Sequence, residues 1–218
     1  MKPTEQQLRV LQDYLHKTLN YRETYEEIYD HILSAIEHQP ENISFEDTIN
    51  NIINSDFGGS KNLLKIEKVN KDALVKESIK IYMTNFWYCF KFPGLLYTVM
   101  GVLFSYYFFS QVKFSSLALG GIFGLVVLFP CVIWALRLYN TGYILDTTRK
   151  SAKDKLFETL SGIPIRICLI PIAFVNISGY KLWENNSYYI LSVLFVLGII
   201  YNIALYKLYK SEFKSAVA

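Results

Sequence analysis

Apolar residues are distributed unevenly along this chain, and its second part carries long stretches without any charged residue, at 92–112, 114–136 and 185–206. A bilayer hydrocarbon core of about 30 Å requires roughly 20 helical residues to cross it. The pattern therefore predicts four transmembrane helices, at about 92–110, 115–136, 159–180 and 187–206. The third is the least regular of them, because Arg166 and two prolines interrupt it.

The first 60 residues show a different pattern, in which apolar residues recur at helical spacing in three short segments. Possible N-terminal capping pairs precede these segments: Thr4 with Gln7, Thr24 with Glu27, and Ser44 with Asp47. Three helices with one apolar face each can close a single small core. The positions expected in that core are Leu8, Leu11, Leu15, Leu19, Tyr25, Ile28, Ile32, Ile36, Phe45, Ile49, Ile52 and Ile53.

A basic segment joins the two parts, and it is expected to be an amphipathic helix with Leu63, Ile66, Val69 and Ala73 on one side. The predicted fold class is all-α, with a small cytosolic three-helix head and a four-helix transmembrane bundle. The expected division is a head at 1–60, a connecting helix at 61–91, a four-span membrane domain at 92–210 and a tail at 211–218.

The charges of the short loops predict the orientation of the predicted membrane helices. Seven lysines lie between 61 and 91, five basic residues lie between the second and third spans, and Lys207, Lys210 and Lys214 follow the fourth. The opposite loops carry only Lys113 on one and Lys181 with Glu184 on the other. Since basic loops stay in the cytoplasm, the N-terminus, the central loop and the C-terminus are expected to be cytoplasmic in a multi-pass protein of a bacterial inner membrane.

The predicted head is acidic, with 4 basic and 11 acidic residues among the first 60, a net charge of 4 − 11 = −7. A phosphate backbone would be repelled by such a surface, which argues against direct nucleic-acid binding and favours a protein partner. The candidate partner-binding residues lie on the second helix: Glu23, Glu27, Asp30, His31 and Glu37.

Glu27 and His31 are one helical turn apart and raise the alternative of a metal site. Zinc requires three or four ligands, so distant residues would have to complete it. We favour an exposed helix face on which Glu27 pairs with His31, and we expect neither a metal nor a cofactor.

Two features of the predicted spans are candidates for a role in the membrane. Ser116, Gly120 and Gly124 recur every four residues and would allow another helix to approach closely, either within the bundle or across a dimer seam. Arg166 is the one charged residue inside a predicted span. It either extends its side chain to the lipid headgroups or takes part in gating or in binding a headgroup.

Several residues of the head resemble the HTH-associated alpha-helical signalling domain, often called HAAS. They are Tyr14 and Leu15, then Glu27, Tyr29, Asp30, His31 and Ala35, then Phe57, Gly58 and Gly59. The turn differs from the family pattern, because it reads DFGGS where the family more often has LG followed by Pro. The resemblance implies a membrane signalling or regulatory protein that acts with a PadR-like transcription regulator.

The sequence carries no recognisable catalytic motif, and no Asp or Glu lies within a predicted span. We therefore expect a non-enzymatic membrane signalling or regulatory protein whose head binds a protein and whose bundle contacts lipids, with a homodimer as one alternative. The alternative is a small transporter, permease subunit or lipid-handling protein in which Arg166 lines a polar path. An intramembrane enzyme is the remaining alternative.

Overall fold

The structure, a computed structural model, describes residues 3–39, 43–112, 116–143, 146, 150–178 and 188–214, without the side chains of 116, 117, 168–178, 213 and 214. Within these residues the fold consists of eight α-helices and contains no strand, which confirms the all-α prediction. The helices are α1 (Glu5–Thr18), α2 (Arg22–Glu37), α3 (Phe45–Asp56), α4 (Ser60–Tyr88), α5 (Gly94–Gln111), α6 (Ser116–Thr141), α7 (Asp154–Ser178) and α8 (Tyr188–Lys214).

Contacts divide the chain into two compact units. The first, which we call the head unit, comprises Met1–Lys76 and Tyr139–Asp154, and the second, the bundle unit, comprises Glu77–Leu138 and Lys155–Ala218. The division falls inside α4, so the first half of the predicted connecting helix folds with the head. The segment between α6 and α7 also belongs to the head unit, which the sequence did not indicate.

The core of the head unit consists of the apolar faces of α1, α2 and α3, as the helical spacing predicts. Of the twelve expected positions, all except Leu8 and Tyr25 are buried, and those two are partly buried. Leu63 of α4 is fully buried in the same cluster. A bundle of about 60 residues is only marginally stable alone, and α4 adds to its core.

Two of the three predicted helix caps are present. The Thr4 hydroxyl accepts a hydrogen bond from the Gln7 N–H at 3.3 Å, and the Thr4 N–H donates to Gln7 Oε1 at 2.8 Å. The Ser44 hydroxyl accepts from the Asp47 N–H at 3.2 Å. Both caps satisfy amide groups that the first turn of a helix leaves without an intrahelical acceptor.

The predicted cap at Thr24 is wrong, because α2 begins two residues earlier and buries Thr24 to 2% exposure. The amides at this helix start bond to other segments of the head unit. The Arg22 N–H donates to the Lys150 carbonyl at 2.9 Å, and the Tyr21 N–H donates to Glu67 Oε1 at 2.9 Å. Since these acceptors lie far away in sequence, a local capping rule could not identify them.

The predicted apolar face of α4 is wrong beyond Ile66, which is partly buried. Val69 is 67% exposed and Ala73 is exposed, whereas Glu67 is only 5% exposed. The Glu67 carboxylate turns inward because it accepts hydrogen bonds from the Tyr21 N–H and from the backbone and side-chain amides of Asn20. A buried charge of this kind is stable only when it is hydrogen-bonded, and the residues between α1 and α2 supply the donors.

In the bundle unit, α5 and α8 are antiparallel neighbours. Tyr106, late in α5, stacks on Tyr189, early in α8, at 4.4 Å between ring centroids, and its hydroxyl donates to the Tyr189 hydroxyl at 3.2 Å. Nearer the middle of both helices, a Cβ at Gly101 would lie 3.8 Å from Val196 Cγ2. The two helices thus run side by side where residues 101–106 of α5 face residues 189–196 of α8.

α6 runs parallel to α8, and the two helices pack tightly around Val126. A Cβ built at Gly198 would lie only 2.6 Å from Val126 Cγ1. The Val126 carbonyl accepts a hydrogen bond from Asn202 Nδ2 at 2.9 Å. Pro130 lacks the N–H that would otherwise bond to this carbonyl. Asn202 of α8 supplies the hydrogen bond instead, and α6 continues as a helix through the proline.

α7 runs antiparallel to both α6 and α8. The Ser161 hydroxyl donates to the Pro130 carbonyl at 2.9 Å, and the Tyr201 hydroxyl donates to the Leu160 carbonyl. A cluster of buried residues lies at one end of the unit. Its residues come from the second half of α4, the end of α6, the start of α7 and the end of α8. Its members are Tyr82, Ile133, Leu156, Phe157, Leu160, Ala204, Leu205 and Leu208.

By length and composition, two helices in the described part of the chain could cross a membrane, over Ala118–Thr141 and Tyr188–Glu212. They correspond to the second and fourth predicted spans. α5 has only 18 residues and includes several Tyr and Ser, and α7 begins with a charged turn. The expected four-span bundle is therefore supported in part, for two of its four helices.

Candidate functional site

The acidic face of α2 is the candidate partner-binding site, and the structure divides its residues into two groups. Asp30 and Glu37 are exposed, and their carboxylates have no hydrogen-bond or ion-pair partner among the described residues. Glu26 is also exposed and lies 3.7 Å from Arg22 Nε. These carboxylates face solvent at one-turn or two-turn intervals, so a ligand of opposite charge could reach them.

Glu23 belongs to the second group, because its carboxylate is bound by another part of the same chain. It accepts hydrogen bonds from the Ser151 hydroxyl and from the Ala152 N–H, the latter at 3.0 Å. Ser151 is 1% exposed, and its N–H donates to Asp154 Oδ2 at 2.8 Å. A carboxylate is favourable at these amides, because the N-terminus of a helix carries a partial positive charge.

Tyr21 provides a further contact for the segment that precedes α7. The ammonium groups of Lys71 and Lys150 lie 5.4 Å and 5.7 Å from the centre of its ring, within the range of a cation–π interaction. With the Arg22 to Lys150 backbone bond and the Glu23 contacts, these interactions fix residues 150–152 to the start of α2. We call this set the loop clasp.

The expected pairing of Glu27 with His31 is not observed. Glu27 Oε2 accepts a hydrogen bond from Asn70 Nδ2 at 2.9 Å, and His31 Nε2 lies 3.0 Å from Asp56 Oδ2. Both side chains therefore connect α2 to other helices, which the i, i+4 rule does not consider. No group of three metal-ligating side chains lies together in the part of the chain that the structure describes.

The pairing of His31 affects the titration of its partner. The hydrogen bond with the His31 side chain, and then that from the Ser55 hydroxyl, hold the pKa of Asp56 below its usual value. On the other side of α2, His16 stacks on Tyr25 at 4.0 Å between ring centroids. Burial, and then the proximity of Tyr29 and Glu26, raise the pKa of Tyr25.

The predicted small-residue stripe on α6 has no close neighbour where the structure describes it. A Cβ at Gly120 or Gly124 would meet no atom within 4 Å, and the side chain of Ser116 lies outside the described residues. The close helix contact involves Gly198 of α8 instead. A glycine within an apolar helix is a signal for such an approach, but spacing alone did not single out Gly198.

Arg166 lies in α7 and is exposed. Its guanidinium extends back toward the start of the helix, where a Cβ at Gly162 would lie 3.7 Å from Arg166 Nε. This direction leads to the predicted cytoplasmic end of the span. Long side chains on a helix usually take this direction, so the choice between a side chain that reaches the headgroups and a role in gating stays a prediction.

Among the charged residues of the bundle unit that the structure describes, Arg137 is the most deeply buried. In the sequence it is one of the five basic residues of the central loop that predict orientation. Its side chain is 0% exposed and forms a two-point ion pair with Glu212, with Nε to Oε2 at 2.8 Å and Nη2 to Oε1 at 2.9 Å. The guanidinium carbon also lies 4.6 Å from the centre of the Phe157 ring. These contacts join the ends of α6 and α8 to the start of α7.

Comparisons of the chain with protein-family models, with curated proteins and with solved structures found no match.

Proposed function

We propose that this protein is a non-enzymatic signalling or regulatory protein of a bacterial cytoplasmic membrane, whose acidic head binds a protein partner. The observation that carries the proposal is the acidic face of α2. Asp30 and Glu37 expose carboxylates without a partner in the described residues, while the opposite face of the same helix completes the head core. Exposed carboxylates without a partner in this chain are complementary in charge to a basic surface of another protein.

The resemblance to the HAAS domain supports a partner of the PadR-like regulator class. Such a partner is a DNA-binding protein, and a surface that binds DNA is basic. The negative α2 face is complementary to it in sign, and complementary charges speed the encounter of two proteins. In this proposal the head binds the regulator and does not bind the nucleic acid.

The proposal includes four membrane spans, and two contacts support this number. Glu23 and Ser151 are hydrogen-bonded, so they lie on the same side of a membrane and the chain between them crosses an even number of times. Arg137 and Glu212 are paired, so the same holds between them. The chain between Glu23 and Ser151 contains α6, and the chain between Arg137 and Glu212 contains α8. If each of these helices crosses once, an even number requires a second crossing in each stretch, and α5 and α7 are the helices that can provide it.

The test is photocrosslinking in intact membranes with a photoreactive residue in place of Ser34. Ser34 is exposed on α2, one turn from Asp30 and from Glu37, so the probe leaves both carboxylates intact. We expect a crosslink to a distinct protein, identified by mass spectrometry, that disappears when Asp30→Lys and Glu37→Lys are introduced together.

The matched control is the double substitution Asp13→Lys with Asp72→Lys. Both are exposed aspartates of the head unit on α1 and α4, so the control makes the same change in net charge away from α2. It should leave the crosslink in place. Loss of the crosslink in both double variants, or crosslinks to a second copy of this chain alone, would contradict a partner site on α2.

A further inference from the structure

The second half of α4 and the turn after it form an open groove of about 480 Å³ on the bundle unit. Neither the proposed partner site nor the buried cluster uses this groove. Its lining residues are Lys80, Met83, Thr84, Trp87, Phe90 and Lys91.

The groove is built by helical spacing. From Lys80 to Trp87 the lining residues follow at i, i+3, i+4 and i+7, which places them on one face of α4. The opposite face packs inward, where Tyr82 is 5% exposed and Phe86 contacts the buried cluster. Trp87 is 56% exposed and Met83 is 47% exposed, so the apolar floor of the groove is open.

Two positive charges flank this apolar floor. The ammonium groups of Lys80 and Lys91 have no hydrogen-bond or ion-pair partner in the described portion of the chain. Lys91 comes three residues before the start of α5. In a chain that enters the membrane at α5, the groove lies at the depth of the headgroups, where tryptophan is favoured because one side of its ring system is apolar and its N–H is polar.

We propose that this groove is a binding site for one anionic phospholipid. The ammonium groups of Lys80 and Lys91 attract the anionic headgroup, and the Trp87 and Met83 side chains contact the first methylene groups of an acyl chain. A free phosphate ion would use the lysines but would leave the apolar floor exposed to water. The combination of positive charge and adjacent apolar surface therefore fits a lipid.

The test is fluorescence quenching by brominated lipids in the full chain, reconstituted in mixed vesicles of phosphatidylglycerol and phosphatidylcholine. Trp87 is made the single tryptophan by Trp134→Phe and Trp183→Phe. Bromine is placed on the acyl chains of one lipid class at a time, at equal mole fractions. Each lysine near a membrane surface favours anionic lipid by about fivefold, so we expect stronger quenching by the brominated phosphatidylglycerol.

The decisive comparison is between two pairs of substitutions on the same helix and the turn after it. Lys80→Gln with Lys91→Gln should nearly abolish the preference for phosphatidylglycerol, so that the two brominated lipids quench Trp87 almost equally. Lys65→Gln with Lys68→Gln removes the same charge from exposed positions of α4 outside the groove and should retain the preference. Equal losses in both variants would mean general attraction to a charged surface and would overturn the proposal.

Two further readouts complete the test. Added inorganic phosphate should leave the quenching unchanged, and displacement by phosphate would assign the site to a free anion instead. Native mass spectrometry of the protein with all its tryptophans should show one retained phosphatidylglycerol, which is lost in the Lys80→Gln, Lys91→Gln variant. This readout does not depend on the folding of the single-tryptophan protein, and retention by both double variants would equally overturn the proposal.

Discussion

Arg137 is buried and charged, and its partner Glu212 is 14% exposed, so the two depend on each other. Removal of one member of a buried pair leaves an uncompensated charge, which costs about 3–5 kcal/mol. We expect Arg137→Ala to lower the free energy of unfolding by this amount, measured in detergent by thermal unfolding.

The specificity of that effect can be checked in two ways. Arg137→Met combined with Glu212→Leu replaces the pair by apolar groups and should recover most of the lost stability. Lys155→Ala breaks the exposed pair with Glu158, 3.2 Å apart, and should cost less than about 1 kcal/mol. A similar cost for Arg137→Ala and Lys155→Ala would contradict the role assigned to Arg137.

Asp56 makes the stability of the head dependent on pH in the acidic range. Because its pKa is lower in the folded protein than in the unfolded chain, its contribution is present above the unfolded pKa, about 3.9 for an ordinary aspartate. The contribution is lost as the pH falls through the folded pKa. Asp56→Asn should therefore lower the unfolding temperature at about pH 6, and the difference from the unchanged protein should close toward about pH 2.

Asp13→Asn is the control for this prediction. Asp13 is exposed, with no ion-pair or hydrogen-bond partner for its side chain among the described residues, so its substitution should leave the unfolding temperature nearly unchanged at every pH. If the unfolding temperatures of Asp56→Asn and of the unchanged protein differ by the same amount at every pH, the His31 to Asp56 pair does not determine how stability changes at low pH.

At the scale of helices, α6 and α8 pack tightly at Gly198 of α8, where an added Cβ would lie 2.6 Å from Val126 Cγ1. Because Val126 is branched at Cβ and cannot easily move aside, a methyl group at position 198 would force the helices apart. We expect Gly198→Ala to destabilise the bundle by about 1–3 kcal/mol, the usual cost of overpacking, measured by thermal unfolding in detergent.

Gly124→Ala is the matched comparison, since a Cβ there meets no atom within 4 Å. It should be neutral or stabilising by up to about 1 kcal/mol, because alanine is the better helix former. A loss of stability like that of Gly198→Ala would mean that another helix packs on the Ser116, Gly120, Gly124 stripe, as in the dimer seam considered from the sequence.

These elements also show how far the sequence predicts this fold. The core positions of α1, α2 and α3 were predicted because burial of one helical face is a local, periodic property. The inward turn of Glu67 was missed because its donors, Asn20 and Tyr21, lie more than forty residues away. For the same reason, the sequence indicated neither the bond of Glu23 to Ser151 nor the pair of Arg137 with Glu212. Polar contacts between distant segments depend on the tertiary structure and leave no periodic signal.

At the scale of the whole molecule, the side of the membrane on which the central loop lies distinguishes four spans from two. If only α6 and α8 crossed, with the N-terminus in the cytoplasm, residue 153 would lie outside. With four crossings it is cytoplasmic, as the contacts of Glu23 require if the head is cytoplasmic. We expect Lys153→Cys, in a chain whose three native cysteines are replaced by serine, to be protected from a membrane-impermeant maleimide in intact cells.

The controls use the same reagent at two positions whose side of the membrane is the same with four spans as with two. Lys181→Cys, in the loop predicted outside, should react in intact cells, and Lys17→Cys in the head should react only after the cells are opened. Reaction at both 153 and 181 together with protection at 17 would leave α7, and one of α5 and α6, outside the set of spans. That result would also separate Glu23 from Ser151 by a bilayer, so the loop clasp could not form in the membrane. Protection at both 153 and 17, with reaction at 181, requires α7 to cross and gives the even number of crossings that the clasp demands.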